Sequence, residues 1–556
     1  MKSIFLFLSF ILCINTINAQ VDHQKISAED WQADLRFLQK TVHSDYPFLF
    51  KKVTAEKFDQ EVEKLYQAIP KMEKHEVIVG LARIVSLFQY GHTAIRLSGW
   101  YQRDAYNFHQ MPFNLYHYKD GIFIQGVHKD YKEALGAKLL KVEGVPIKKA
   151  LEAIRPAIPA ENDQFFKAFG LSVLGTPEVL HAQGITKNLK KTITLSLEKN
   201  GKKFDVVFKP YKTKRFPGTY SLIQEEGNWL DARDNSDTPL YLKNLDQIYF
   251  FEYLPEHKAV YVRHSQIQDD KEPIPKFYER VFDFVEKNDV EKLILDVRLN
   301  GGGNNYKNKP IVTGIIETKK INQPGKLFVI TGRRTFSACQ NLVNELDNYT
   351  EAIFVGEPTA ENINFYGDTR QVILPNSKVP AYLSFAWWQD KPQWENNDWT
   401  SPHLAVEMSF EEYKTNQDPV LQTTLDFSDN DFIIDPMAFL TNLFLAGKLD
   451  QLESEATKMV NNPVYQFVDF NSKFNQAGYN LLGNGQVENA IYVFQLNTKL
   501  YPESANAWDS LAEGYWKAKK IDKAIEYYNK AIALDKDGGV AENAKSMLKR
   551  IKSEEK

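Results

Sequence analysis

Two apolar runs in the middle of the chain, each ending in a turn of small and polar residues, restrict what it can fold into. The first, Lys292-Leu293-Ile294-Leu295-Asp296-Val297, passes through Arg298-Leu299-Asn300 into the triplet Gly301-Gly302-Gly303. The second, Lys326-Leu327-Phe328-Val329-Ile330, passes through Thr331-Gly332-Arg333-Arg334-Thr335-Phe336 into Ser337, after which Leu342, Val343 and Leu346 mark a helix. Runs of this length and composition read as buried strands. A serine just before a helix is ordinarily an N-cap. The same place is the positive end of the helix dipole, which suits a nucleophile whose chemistry builds negative charge. Three consecutive glycines admit positive φ and leave backbone N–H groups open to an anion. One strand end with a hydroxyl and another with bare amides are the two halves of an acyl-transfer site.

At these residues the chain resembles the tail-specific (C-terminal-processing) and tricorn-core family of serine peptidases. The resemblance rests on L-I-L-D-V-R-L-N-G-G-G, on T-G-R-R-T-F-S-A-C-Q-N-L-V-N-E-L and on Ile353-Phe354-Val355-Gly356-Glu357-Pro358-Thr359, in that order, and covers roughly residues 240–410. It implies an α/β peptidase core of the ClpP/crotonase-like type, with Ser337 as nucleophile. The amides of Ala338 and of a glycine such as Gly301 or Gly302 would form the oxyanion hole.

An alcohol needs an adjacent base to attack. The tail-specific branch draws a lysine from the loop matching Glu357-Pro358-Thr359-Ala360-Glu361-Asn362; Asn362 stands at that position here, which points away from a Ser-Lys dyad. Tricorn-like members carry a histidine from an N-terminal segment, and Gly91-His92-Thr93 follows the helix-like run Ile78 to Phe88. His92 is therefore the general base that the resemblance implies. The serine that accompanies this histidine in tricorn is replaced by Gly91 and Thr93, and the late acidic residue would be Asp390 or Glu395. Arg333 and Arg334 lie near the nucleophile, where they could receive a substrate carboxylate.

The 556 residues suffice for three or four domains. Residues 1–19 carry Lys2, an apolar stretch from Ile4 to Ile14 and Ala19 before Gln20. They read as a cleaved signal peptide, too short to span a bilayer, so a periplasmic or extracellular location is expected. With Cys13 removed, Cys339 is the one cysteine left, which excludes a disulfide framework within the mature chain. Two positions after Ser337 on a helix, it points about 200° away, towards the core. Residues 20–105 read as a helical cap ending at His92. Residues 106–215 alternate short strands and turns, and Gly136-Ala137-Lys138-Leu139-Leu140-Lys141-Val142-Glu143-Gly144-Val145-Pro146-Ile147 resembles a PDZ-like strand-turn, with a long insertion from Lys148 to His181. The peptidase core is placed at 240–415, and a linker with helical character at 416–470.

From 471 to 556 the sequence repeats. Phe474, Gly478, Leu481, Ala490 and Phe494 recur as Trp508, Ala512, Tyr515, Ala524 and Tyr528 with a 34-residue period, which resembles the tetratricopeptide repeat and offers a surface for a protein partner. The formal net charge of −4 gives no basic face for nucleic acid, and neither H-E-x-x-H, C-x-x-C nor a phosphate-loop lysine occurs, so no cofactor or metal is expected. The function expected is hydrolysis of peptide bonds in peptides or unfolded proteins. The alternative is a catalytically inactive peptide-binding or scaffold protein working through the PDZ-like and repeat regions.

Overall fold

The computed structural model describes residues 25–97, 106–211, 217–234, 236–393, 395–428, 432–536 and 538–554. The expected signal peptide and its Ala19 cleavage point lie outside them. The described residues form two compact bodies, one within 25–234 and 364–398, the other within 236–363 and 399–554.

The first body opens with three helices, α1 (Ala28–Asp45), α2 (Ala55–Ala68) and α3 (Lys74–Ser86). Ser27 caps α1: its Oγ accepts from Asp30 N–H while the Asp30 carboxylate reaches back to Ser27 N–H, so two end donors are satisfied reciprocally. The spacing of Trp31, Leu35, Leu38 and Val42 turns one face of α1 inwards, and that face also buries Asp34. A sheet follows, with strands β1 (Phe113–Tyr118), β2 (Gly121–His128), β3 (Lys138–Val142), β4 (Ile193–Lys199) and β5 (Lys202–Phe208) paired antiparallel in chain order. The same body holds the hairpin of Phe365–Ile373 and Pro380–Trp388.

Two contacts tie this hairpin to the helices. The Asp34 carboxylate accepts from the backbone N–H groups of Asn376 (2.8 Å) and Ser377 (2.7 Å) at the hairpin tip. Ala94 forms a bridge with Tyr382, each N–H reaching the other's carbonyl at 2.9 Å, and Thr93 Oγ1 donates to Ser384 Oγ at 2.9 Å. Ala94 is thus bridged to the hairpin at a single position, beside the Thr93–Ser384 hydrogen bond.

The second body is built on a six-stranded sheet. Strands β6 (Tyr249–Leu254), β7 (Ala259–His264), β8 (Lys292–Asp296), β9 (Leu327–Thr331) and β10 (Ile353–Gly356) lie in chain order, and Leu404–Ala405 closes the far edge. Only β6 runs antiparallel to its neighbour. Helices α4 (Ile274–Lys287), α5 (Lys309–Glu317) and α6 (Ala338–Tyr349) make the crossovers and pack on one face, against Val260, Val262, Leu295 and Val329. The alternate residues Tyr261, Ile294, Phe328 and Val355 face Val420 and Leu421. Both faces are covered, which is why these strands read as unbroken apolar runs.

The expectation of a ClpP/crotonase-like core is corrected here. The core strands lie side by side in one mixed sheet in the order of the chain, and the next long hairpin spends its edge hydrogen bonds on Ala94 and forms a sheet of its own.

Five C-terminal helices, α7 (Phe470–Gly483), α8 (Val487–Leu500), α9 (Ala505–Lys517), α10 (Ile521–Leu534) and α11 (Gly539–Glu554), belong to the second body. The recurring small residues lie at their crossings: a Cβ on Gly478 would stand 2.3 Å from the Phe494 ring, and Ala512 and Ala524 are fully enclosed. Among the described residues no helix is long and apolar enough to cross a membrane.

Asp34→Ala leaves the enclosed Ser377 N–H without its acceptor and frees the exposed Asn376 N–H to water, an expected loss of about 1–3 kcal/mol in urea unfolding. A change below about 0.5 kcal/mol would show that the hairpin tip does not depend on this carboxylate.

Candidate active site

The turn between β9 and α6 is built by short-range hydrogen bonds. Gly332 N–H donates to Thr335 Oγ1 (3.0 Å), whose hydroxyl donates to Val297 O (3.0 Å), and Phe336 N–H donates to Asn300 O (3.1 Å). The end of β9 is thereby fastened to the end of β8. Ser337 then adopts φ 57°, ψ −130°, with positive φ at a residue that has a Cβ, and α6 begins at Ala338. Its side chain makes no capping hydrogen bond. An ordinary capping serine has extended backbone and spends its oxygen on the first turn, so Ser337 does not act as one. Non-glycine residues in this region cost free energy and concentrate at functional turns.

Gly302 packs directly against that turn. At φ +98°, its Cβ would lie 2.5 Å from Ser337 Cβ, 2.8 Å from Phe336 O and 3.0 Å from Ala338 N, so only glycine fits. Its own N–H donates to Asn300 Oδ1 (3.0 Å) and is therefore committed. Gly301 is exposed beside the Arg334 guanidinium, whose Nη2 would be 3.7 Å from a Cβ there. Ser337, Ala338, Gly301 and Gly302 are thus brought together within the second body.

The loop after β10 supplies a residue that sequence reasoning passed over. Glu361 is fully buried, and its Oε2 accepts from Ser337 N–H. Asn362, beside it, is also buried. Arg333 is enclosed and pairs through Nε with Glu357 Oε2 at 2.7 Å, so it is not the substrate-carboxylate receptor that the sequence suggested. Cys339 is fully buried, and burial pushes its thiol well above the ordinary range, which removes it as a nucleophile at neutral pH.

His92, Asp390 and Glu395 belong to the first body. His92 directly precedes Thr93 and the bridge residue Ala94, and its ring stacks on Phe365 with centroids 6.1 Å apart and planes 14° from parallel. Burial pushes its imidazole down to about 4; Glu161 opposes that shift, Arg96 adds to it, and Asp368 opposes it. Glu161 is itself buried and accepts from Gly91 N–H at 2.7 Å. Asp390 is partly buried, Glu395 is exposed, and neither is among the charges that act on the imidazole. The residue before the histidine is glycine for a steric reason, since a Cβ at Gly91 would stand 2.3 Å from the Phe165 ring. No pattern in the sequence marks Glu161, which lies 69 positions beyond His92 in an irregular segment. Glu361 had a signal: it adjoins the position where the resembling family carries a lysine.

No family model and no curated protein matches the chain. Among solved structures, mature CPAF is similar at 11% identity and a TM-score of 0.48, over 73% of this chain and 99% of that one. A photosystem II D1 C-terminal processing protease aligns at 13% identity and a TM-score of 0.33, over 68% and 94% of the two chains. The tricorn protease aligns at 13% identity and a TM-score of 0.35, over 72% and 36%.

Gly91→Ala is expected to cost about 1–3 kcal/mol through overpacking against Phe165. In a Phe165→Ala background the same change should cost much less; equal penalties in both backgrounds, read by thermal unfolding, would refute the steric account.

Proposed function

We propose that this chain is an exported serine peptidase that hydrolyses peptide bonds of peptides or unfolded proteins through an acyl-enzyme on Ser337. The observation that carries the proposal is the backbone of Ser337: held at positive φ at a helix start, with its hydroxyl not spent on capping. In the proposed reaction Ser337 Oγ attacks the scissile carbonyl carbon as His92 takes the hydroxyl proton. The tetrahedral oxyanion is met by the N–H of Ala338 and that of Gly301, since the Gly302 amide is already bound to Asn300. Collapse breaks the C–N bond as His92 returns the proton to the leaving amine. Water, deprotonated by the same imidazole, then releases the acid and restores Ser337.

His92 is neutral at working pH, the form in which an imidazole can accept a proton. Glu161 is the carboxylate proposed to orient it, in place of Asp390 or Glu395. The sheet of β1–β5 is proposed as a degenerate PDZ-like domain, and α7–α10 as two tetratricopeptide units that take a protein partner. Export rests on the signal-like residues 1–19.

A second reading has its own observation. Glu361 puts a carboxylate on the N–H of Ser337, and Asn362 stands where a lysine base would be, which suits a protein that holds peptide without cutting it. A fluorophosphonate separates the two. Wild type is expected to be labelled and Ser337→Ala not at all, while His92→Ala slows labelling by about 10²–10⁴-fold. An unlabelled wild type, together with no turnover of a broad peptide library, would leave the peptide-binding reading.

The pH dependence follows in sign from the imidazole. Its proton affinity is depressed, so the neutral base persists as pH falls past the ordinary histidine value of about 6.5. The labelling rate of free enzyme should therefore fall with a midpoint near 4. A midpoint at the ordinary histidine value would exclude this His92 as the titrating base.

A further inference from the structure

The first body contains a half-open cavity of about 670 Å³, walled by α2, α3 and the segment from Glu152 to Ala160. Small-molecule sites commonly occupy roughly 300–1,000 Å³. Its walls are largely apolar, from Leu65, Ala68, Met72, Ile84, Leu87 and Ile158. Gly80 on α3 keeps part of it open, since a Cβ there would stand 2.7 Å from Leu65 Cδ1.

The charges at this cavity are unevenly matched. Glu61 is taken by Lys57 and Lys64, both at 2.9 Å, and Arg155 by Asp163 at 2.7 Å. Arg83 also lines the cavity, donating through Nη1 to Gln183 Oε1 (3.1 Å) and to the Ala182 carbonyl (3.5 Å). Among the described residues no carboxylate lies within ion-pair distance of it, and burial lowers its proton affinity, with Glu61 and Glu76 opposing only through space. One helical turn on, Ser86 also lines the cavity, and its Oγ is buried with no hydrogen-bond partner. Positions three apart share a helix face, so the cation and the unsatisfied hydroxyl are neighbours.

We propose that this cavity binds an apolar monocarboxylate, an acyl chain lying along Leu65, Ile84 and Leu87 with its carboxylate held by Arg83 and Ser86. A cationic amphiphile would meet Arg83 with the wrong sign. A neutral one would leave the guanidinium without a counter-charge. Nothing in the proposal depends on the catalytic reading of Ser337.

Decanoate titrated into the full chain by calorimetry tests it, with decan-1-ol and decylammonium as comparators. Decanoate is expected to saturate one site per chain, with both comparators at least about tenfold weaker, as loss of a charge-assisted hydrogen bond implies. Arg83→Gln should weaken decanoate about tenfold or more, Ser86→Ala by a few-fold, and Leu87→Trp should abolish binding by filling the cavity. Absence of saturable binding to wild type, decan-1-ol bound as tightly as decanoate, or unchanged affinity in folded Arg83→Gln would each overturn the proposal. Should Arg83→Gln fail to fold, unchanged decanoate affinity in both Ser86→Ala and Leu87→Trp overturns it equally.

Discussion

The second body depends on a buried charge network at the end of β8. Arg298 donates to Asp296 through Nε (3.0 Å) and grips Asp418 with both terminal nitrogens (2.8 and 3.0 Å), while Tyr261 OH donates to Asp296 at 2.7 Å. Such a cluster is tolerable inside a protein because each charge is paired and its hydrogen bonds are filled; removing one partner from a buried pair costs about 3–5 kcal/mol. It fixes where β8 stops. From that fixed point Asn300 spreads order in three directions: to the His264 carbonyl through Nδ2 (2.9 Å), to Gly302 N–H through Oδ1, and to Phe336 N–H through its carbonyl. The glycine and serine turns share one anchor, so neither can shift without the other.

The first body solves a similar problem for a histidine. An imidazole is useful as a base only if its proton affinity and its direction are both controlled. Burial lowers the first, and Glu161 keeps the fall from going further. The two residues after the ring are pinned, Thr93 on Ser384 and Ala94 on Tyr382. Asp34 holds the tip of the same hairpin, so a residue on the first helix bears on the placement of the ring.

Legibility from the sequence varied with the range of the interaction. Ser337 and the glycine triplet stood out because strand, turn and helix follow one another within a dozen residues, each with its own apolar period or conformational demand. The same holds for the 34-residue recurrence, whose small residues are small because a neighbouring helix crosses them, as at Gly478. The fold of the core was misread. The sequence shows which runs are strands, but sheet order and the destination of the 365–388 hairpin depend on edge hydrogen bonds that carry no local signature.

By itself, then, the sequence determined the buried strands, the serine at a helix start, the glycines before it and the repeat at the C-terminus, because these are properties of spacing along the chain. Only the tertiary structure decided that Ser337 adopts positive φ without capping, that Glu361 meets its amide, that Arg333 is spent on Glu357 and that Glu161 attends His92. These pairings join residues 24 to 69 positions apart, where the partner is chosen by how the chain folds back and by which polar groups burial leaves to be satisfied.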